Sequence, residues 1–202
     1  MSHRQRIIEL AAQYVGVTVT DAKDRYVELL GPDETTIMRQ YFCDPKTSGC
    51  ALTIRGLWRK LGVNDARVRP NYVFGKAITW LVSIAKARNA WRPANLASLP
   101  NPGDFVLVGG DKIKDGGVEH VFIINSIVPD GMGALITSID GGQRDDKGNQ
   151  AIFAKTRRWI VRGNAFWDVS SQGSDPGSNA QGGRRVIGWG DAEKILGFDA
   201  AP

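Results

Sequence analysis

Hydrophobic and polar positions divide the chain into a helical first half and a strand-rich second half. Residues 3–15 place Ile7, Leu10, Ala11 and Tyr14 on one helical face, and Gly16 closes the pattern. Residues 19–30 predict a second helix or half-helix, ending at Leu30-Gly31-Pro32. Asp33 to Phe42 has no clear period, and Asp44-Pro45-Lys46-Thr47-Ser48-Gly49 is turn chemistry. From Cys50 to Leu61, the positions Cys50, Ile54, Leu57, Trp58 and Leu61 form one apolar stripe, and Gly62 is a C-terminal stop. Residues 71–89 predict a further helix, with Phe74, Ile78, Leu81, Val82 and Ala85 at helical spacing.

The pattern changes at Leu99-Pro100-Asn101-Pro102-Gly103-Asp104, a loop leading into the short strand Phe105–Val108. Gly109-Gly110 through Gly116-Gly117 predicts a turn. Val118 to Val128 alternates and is rich in β-branched residues, as a strand does. Pro129 to Gly133 is a turn, Ala134 to Asp140 is the returning strand, and Gly141-Gly142 closes it. Ile152–Val161 and Arg185–Trp189 add strands, and the Ser/Gly/Asn-rich stretch 170–183 predicts a mobile loop. Helices followed by strands imply an α+β domain, with helices packed on an antiparallel sheet. A chain of 202 residues fits one domain, residues 1–202, carrying a helical insertion at about 64–99.

Composition narrows the class. With 42% hydrophobic and 23% charged residues, fibrous and fully disordered readings are excluded. No apolar run has the length of a membrane span. The basic start, Met1 to Arg6, leads into a charged amphipathic helix rather than an apolar core with a cleavage site, so no classical signal peptide is expected. Synthesis in the cytoplasm with delivery to periplasm or cell wall by a specialised secretion system or by lysis stays open. The net charge of +5 suits a polyanionic partner. Its densest runs, Arg55–Arg69 and Lys155–Arg162, read as solvated faces. Aromatic residues make up only 8%, and no groove-reading motif is present, so no nucleic-acid partner is expected.

Two cysteines, Cys43 and Cys50, are too few for a disulfide framework or, without other ligands, a metal site. Cys50 falls in the first turn of its helix, where Ser48 or Thr47 can cap and Gly49 permits a tight turn. The helix dipole and free amides there favour a thiolate and lower its pKa below the usual value of about 8.5. The same amides can hold an oxyanion. The competing readings are a small buried hydrophobe and a Cys43–Cys50 disulfide. Cys43 is the weaker nucleophile, because Asp44 opposes its ionisation and Pro45 prevents a helix from starting at once.

The only histidines are His3 and His120. Strand alternation sets His120, Phe122 and Ile124 on one face, with His120 at the sheet's rim. Folding at residues 129–133 brings Asp140 near His120. Pairing 120 with 140 puts both side chains on one face, and a slip of one residue would not. In that register Asp140 orients the imidazole while its other nitrogen faces the thiol. Gln143 is a further candidate for orienting or oxyanion work. His120 as a structural histidine and Asp140 as a turn residue are the bland alternatives.

This order, a helix-starting Cys, a His opening a strand and a polar residue on the next strand, resembles the NlpC-like and CHAP-type cysteine peptidases and amidases of bacterial walls. The likeness is carried by residues 8–17, by Ser48-Gly49-Cys50-Ala51-Leu52 through Trp58, by Pro102-Gly103-Asp104 through Val108, and by Glu119-His120-Val121-Phe122-Ile123-Ile124. Gly49 and Glu119 stand where the family often has Asp or Trp, and Gly. The segment from Asn64 to Leu99 and the tail after Gln143 lie outside the family core. The resemblance implies a papain-like α+β fold with the nucleophile helix on an antiparallel sheet, and Cys50, His120 and Asp140 as catalytic residues. It implies cleavage of an amide in peptidoglycan (stem peptide, cross-bridge or sugar–peptide bond) through a thioester, without metal or organic cofactor. An immunity or inhibitor protein is a conceivable partner. The alternatives are an effector that transfers acyl groups or deamidates a protein, and an inactive glycan-binding module.

Overall fold

The second half of the chain closes on itself. The structure, a computed structural model, describes residues 1–20, 23–31, 49–65, 68, 77–109, 120–169 and 183–198. Four helices come first: α1 (His3–Ala12), α2 (Lys23–Leu30), α3 (Cys50–Lys60) and α4 (Ala77–Ala87). Strands β1 (Trp91–Pro93), β2 (Phe105–Gly109), β3 (His120–Asp130), β4 (Gly133–Arg144), β5 (Gln150–Arg162), β6 (Ala165–Asp168) and β7 (Arg184–Gly190) follow, then α5 (Ala192–Gly197). The expected turns at 44–48 and 110–117, the 33–42 stretch, Thr47, Ser48, Cys43 with its disulfide option, Glu119 and most of the 170–183 loop lie outside the described residues.

The expected papain-like α+β fold, with helices on an antiparallel sheet, is not what forms. Strands β7-β2-β3-β4-β5-β6 are antiparallel neighbours, and β6 pairs back to β7 through Trp167↔Arg185 and Asp168↔Arg184. The sheet is therefore a closed six-stranded barrel accompanied by a few short helices. The short strand β1 occupies the rest of that edge of β7, through Trp91↔Gly190 to Pro93↔Gly188. Closure depends on β6, a four-residue strand absent from the sequence reading, and on register shifts that coil the sheet. No periodicity in the chain distinguishes an open sheet from a closed one.

Two apolar cores result. One fills the barrel with Val106, Val108, Phe122, Ile124, Ile136 and Trp159, among others. The second lies between the helices and the outer wall and joins Leu29, Ile54, Leu57, Trp58, Leu81 and Ile84 to Phe105, Val121, Ile123 and Ile139. Each large side chain so buried contributes roughly 1.5–3 kcal/mol. Helix α3 sits inside the second core and is buried on every side from Cys50 to Trp58, including Arg55, whose guanidinium lies 5.1 Å from the Trp80 ring centre. It is thus a central helix rather than a one-faced surface helix.

The Gly103-Asp104 pair, part of the family likeness, is a structural clamp here. Asp104 is buried and accepts from Asn101 N (2.9 Å), Ala192 N at the start of α5 (2.9 Å) and Arg4 Nε (3.3 Å). Arg4 also reaches Asp191 at 2.6 Å. Gly103 has φ +92°, and a Cβ there would lie 2.9 Å from Arg4 Cα, so only glycine lets α1 approach this loop.

Candidate active site

The site forms where the N-terminus of α3 meets the rim of the barrel. Gly141 on β4 lets them touch: a Cβ there would lie 2.0 Å from Thr53 Oγ1 and 2.5 Å from Thr53 Cβ. The cap of α3 is Gly49, which has no side chain to cap with, and the expected capping residues Ser48 and Thr47 lie outside the described residues. Gly49 is held instead by Gln150 Oε1 on its N–H (3.3 Å) and by Thr53 Oγ on its carbonyl (2.8 Å).

Cys50 is 1% exposed and His120 5% exposed. Burial alone fits a structural thiol. Coupling to an anchored imidazole does not follow from packing. His120 Nε2 donates to Asp140 Oδ2 at 2.8 Å, and the Cys50 side chain lies close enough to act on the imidazole. With Nε2 engaged by a carboxylate, the nitrogen left for the thiol is Nδ1. Burial pulls the imidazole's pKa down, but Asp140 and Cys50 outweigh it and push it up to about 8.

Register explains how Asp140 arrives there. The hairpin at Gly131-Met132 pairs Asp130 with Gly133, and Ser126 with Thr137. Continued without interruption, that register would set Asp140 opposite Ile123 and turn it away from His120. A bulge at Asn125 shifts the pairing to Ile124↔Ser138 and Ile123↔Ile139. Asp140 then falls opposite Phe122, one face-sharing step from His120 rather than directly across from it as expected. A second shift lies between Asp140 and Gln143, where Gly142 has φ +67°, and β4 continues beyond it to Arg144.

Gln143 does come to the site: its Nε2 lies 3.4 Å from His120 Nε2, and its Oε1 accepts from Lys155. Since the Nε2 proton of His120 goes to Asp140, the Gln143 contact is a long approach rather than an orienting hydrogen bond.

Arg157 was missed by the reading of Lys155–Arg162 as a solvated face. It is 5% exposed inside the barrel. Its Nη2 donates to Asp140 Oδ2, its Nη1 to Asp168 Oδ2 (2.5 Å) and its Nε to Ser138 Oγ (2.9 Å), and it lies 4.1 Å from the Phe122 ring centre. Its neighbour Arg158 is the expected solvated residue, with a 59% exposed side chain paired to Asp130 at 3.0 Å. Strict alternation along β5, with Arg157 flanked by buried Trp159, was the signal available in the sequence. Burial opposes Asp140's ionisation, but Arg157, His120 and the Ser138 hydroxyl (2.5 Å) hold its carboxyl well below the usual range. Asp168 has Arg157 as its main partner and an Oδ1 with no hydrogen bond among the described residues, so burial prevails and pushes its carboxyl up.

Tyr26 on α2 was also missed. Its hydroxyl is buried without a hydrogen-bond partner among the described residues. Burial, and then the charge at Cys50, push its ionisation up, so it stays a neutral donor near the thiol.

No protein-family model, curated protein or solved structure matches the chain. Among the described residues no three of His, Cys, Asp and Glu are grouped as a metal site, and no helix is long and apolar enough to cross a membrane.

Proposed function

We propose that this protein is a cysteine hydrolase in which Cys50 is the nucleophile, His120 the base and acid, and Asp140 the residue that fixes the imidazole. The observation that carries the reading is the buried cluster of Cys50, His120 and Asp140, in which Asp140 engages His120 Nε2 and the Cys50 side chain acts on the same imidazole. A thiol that transfers its proton to an anchored imidazole becomes a nucleophile at neutral pH, and the surrounding apolar core strengthens the resulting ion pair.

In this reading Cys50 Sγ attacks a carbonyl carbon while its proton passes to His120 Nδ1. The tetrahedral oxyanion is met by the amides at the start of α3 and by the Tyr26 hydroxyl. His120 returns the proton to the departing amine as the C–N bond breaks, leaving a thioester. Water, deprotonated by His120, attacks the thioester. The carboxylic acid leaves and Cys50 recovers its proton.

For the substrate, the motif order resembling wall amidases favours an amide of peptidoglycan, and the net charge of +5 suits an anionic wall polymer. The closed barrel removes fold as an argument for that substrate, so it rests on the motifs alone. The test is digestion of purified sacculi by the wild-type protein and by Cys50→Ala, with mass spectrometry of the released fragments. New amine and carboxyl termini with wild type alone support the reading. Intact sacculi, with Cys50 still alkylated faster than a free thiol, exclude the wall and leave acyl transfer or deamidation of a protein. A Cys50 alkylation rate no faster than a free thiol's, and unchanged in His120→Ala, refutes the hydrolase and leaves a binding module.

A further inference from the structure

The barrel interior carries charges that the proposed hydrolysis does not use. Arg157 and Asp168 are 5% and 4% exposed, and both face the same interior as Phe122 and Trp159. Burying ions in this way adds little net stability over apolar side chains of similar volume. What the charges do add is a fixed field at His120. Arg157 shares Asp140 Oδ2 with His120 Nε2, so whatever holds Arg157 acts one atom away from the imidazole. Four contacts fix that guanidinium: Asp140, Asp168, Ser138 and the Phe122 ring. The Phe122 ring centre in turn lies 5.9 Å from that of His120.

We infer that Arg157 and Asp168 are positioning residues whose opposite charges set how readily His120 accepts the Cys50 proton. The inference rests on the reading of Cys50, His120 and Asp140 as one proton-transfer unit. Its logic is a charge count. Among the three charged groups joined at Arg157, Asp140 and Asp168 bring two negative charges and Arg157 one positive charge, a single net negative charge for this cluster. A proton on His120 neutralises it. Without Asp168 the same proton would leave this cluster positive, and without Arg157 the cluster would hold two negative charges and bind the proton more tightly. The other titratable or charged groups facing this cluster are Cys50 and Tyr26 from the helical side and Lys155 at the rim, with Arg184 across from Asp168 on β7. All of these are unchanged in the Asp168 and Arg157 variants below.

The chain has two histidines, so the ring resonances of His120 are assigned by comparison with His120→Ala, and its titration midpoint is read directly by NMR. Asp168→Asn keeps the side-chain shape and is expected to lower the midpoint by roughly half to one pH unit. Arg157→Lys keeps the charge and is expected to leave the midpoint near that of wild type. Arg157→Met, if it folds, moves it upward. Iodoacetamide rates at Cys50 across pH follow the same order. Asp168→Asn without a shift, or Arg157→Lys with a shift as large as that of Asp168→Asn, overturns the inference, because packing rather than charge would then decide. Cys50→Ala separates this from failure of the underlying reading. If Cys50→Ala leaves the His120 midpoint unmoved, thiol and imidazole are not one unit. If it moves the midpoint while Asp168→Asn does not, the unit stands and the role of Arg157 and Asp168 falls.

Discussion

Gly141→Ala tests the contact on which the whole site depends. The added methyl would lie 2.5 Å from Thr53 Cβ, 2.0 Å from Thr53 Oγ1 and 3.1 Å from the Gly49 carbonyl. Carbon atoms in contact sit about 3.5–4.0 Å apart, so the gap between α3 and β4 must widen by roughly 1 Å. Rotating the Thr53 hydroxyl aside gives up its 2.8 Å bond to Gly49 O and leaves Cβ in place. Overpacking of this kind costs about 1–3 kcal/mol. For a chain of this size that is a fall in Tm of roughly 2–12 °C. Displacing Cys50 from His120 by about 1 Å is expected to slow acylation on the order of 100-fold. The assay pairs a thermal melt with the iodoacetamide rate of Cys50 near pH 6.5. Adding Thr53→Ala removes the hydroxyl but not Cβ and should restore only part of the rate. Adding Thr53→Gly should restore most of it, although glycine within α3 costs about 1 kcal/mol of its own. A Gly141→Ala protein with unchanged Tm and rate, or a loss that Thr53→Gly does not restore, would refute the seating of the helix on this glycine.

Asp140→Asn should lower stability by about 3–5 kcal/mol, since it leaves Arg157 short of one buried counter-charge. It should also bring Cys50 alkylation towards the free-thiol rate, and urea titration with the same labelling assay checks both. The pH dependence of stability should have two limbs. His120 is raised to about 8 from an ordinary 6.5, so its contribution of about 2 kcal/mol is complete below pH 6.5 and is lost as pH rises through 8. Asp140 is depressed, so its contribution is complete above its ordinary 3.8 and is lost as pH falls below that value. Urea midpoints across pH should show the alkaline limb flatten in His120→Ala. Tyr26→Phe removes a buried hydroxyl without a partner and should leave Tm unchanged or slightly higher, while turnover falls roughly 10–100-fold through loss of an oxyanion donor. A melt and a rate on the sacculus substrate separate the two effects.

Local pattern determined much of the second half and the start of the site. The 3.6-residue spacing after Gly49 located α3 and put Cys50 in its first turn, because an apolar stripe and a glycine stop are local signals. Period-two alternation located β2, β3 and the core of β4, and the turn residues around Gly131 located the hairpin that returns Asp140 towards His120. The scarcity of histidine pointed to His120. What the tertiary structure decided is everything that depends on pairing between distant segments. Closure into a barrel required β6 to find β7, a contact whose geometry no local period encodes. Whether Asp140 faces His120 depended on one extra residue at Asn125, since a single-residue shift reverses the face of every side chain beyond it. Arg157 lay in a run that composition alone marks as solvated. Only the inward face of a closed barrel, with Asp140 and Asp168 on adjacent strands, made it a buried counter-charge. Sequence thus supplied the groups of the proposed site, because their surroundings in the chain are local. The fold supplied their protonation, because charge and burial are properties of what surrounds a group in space.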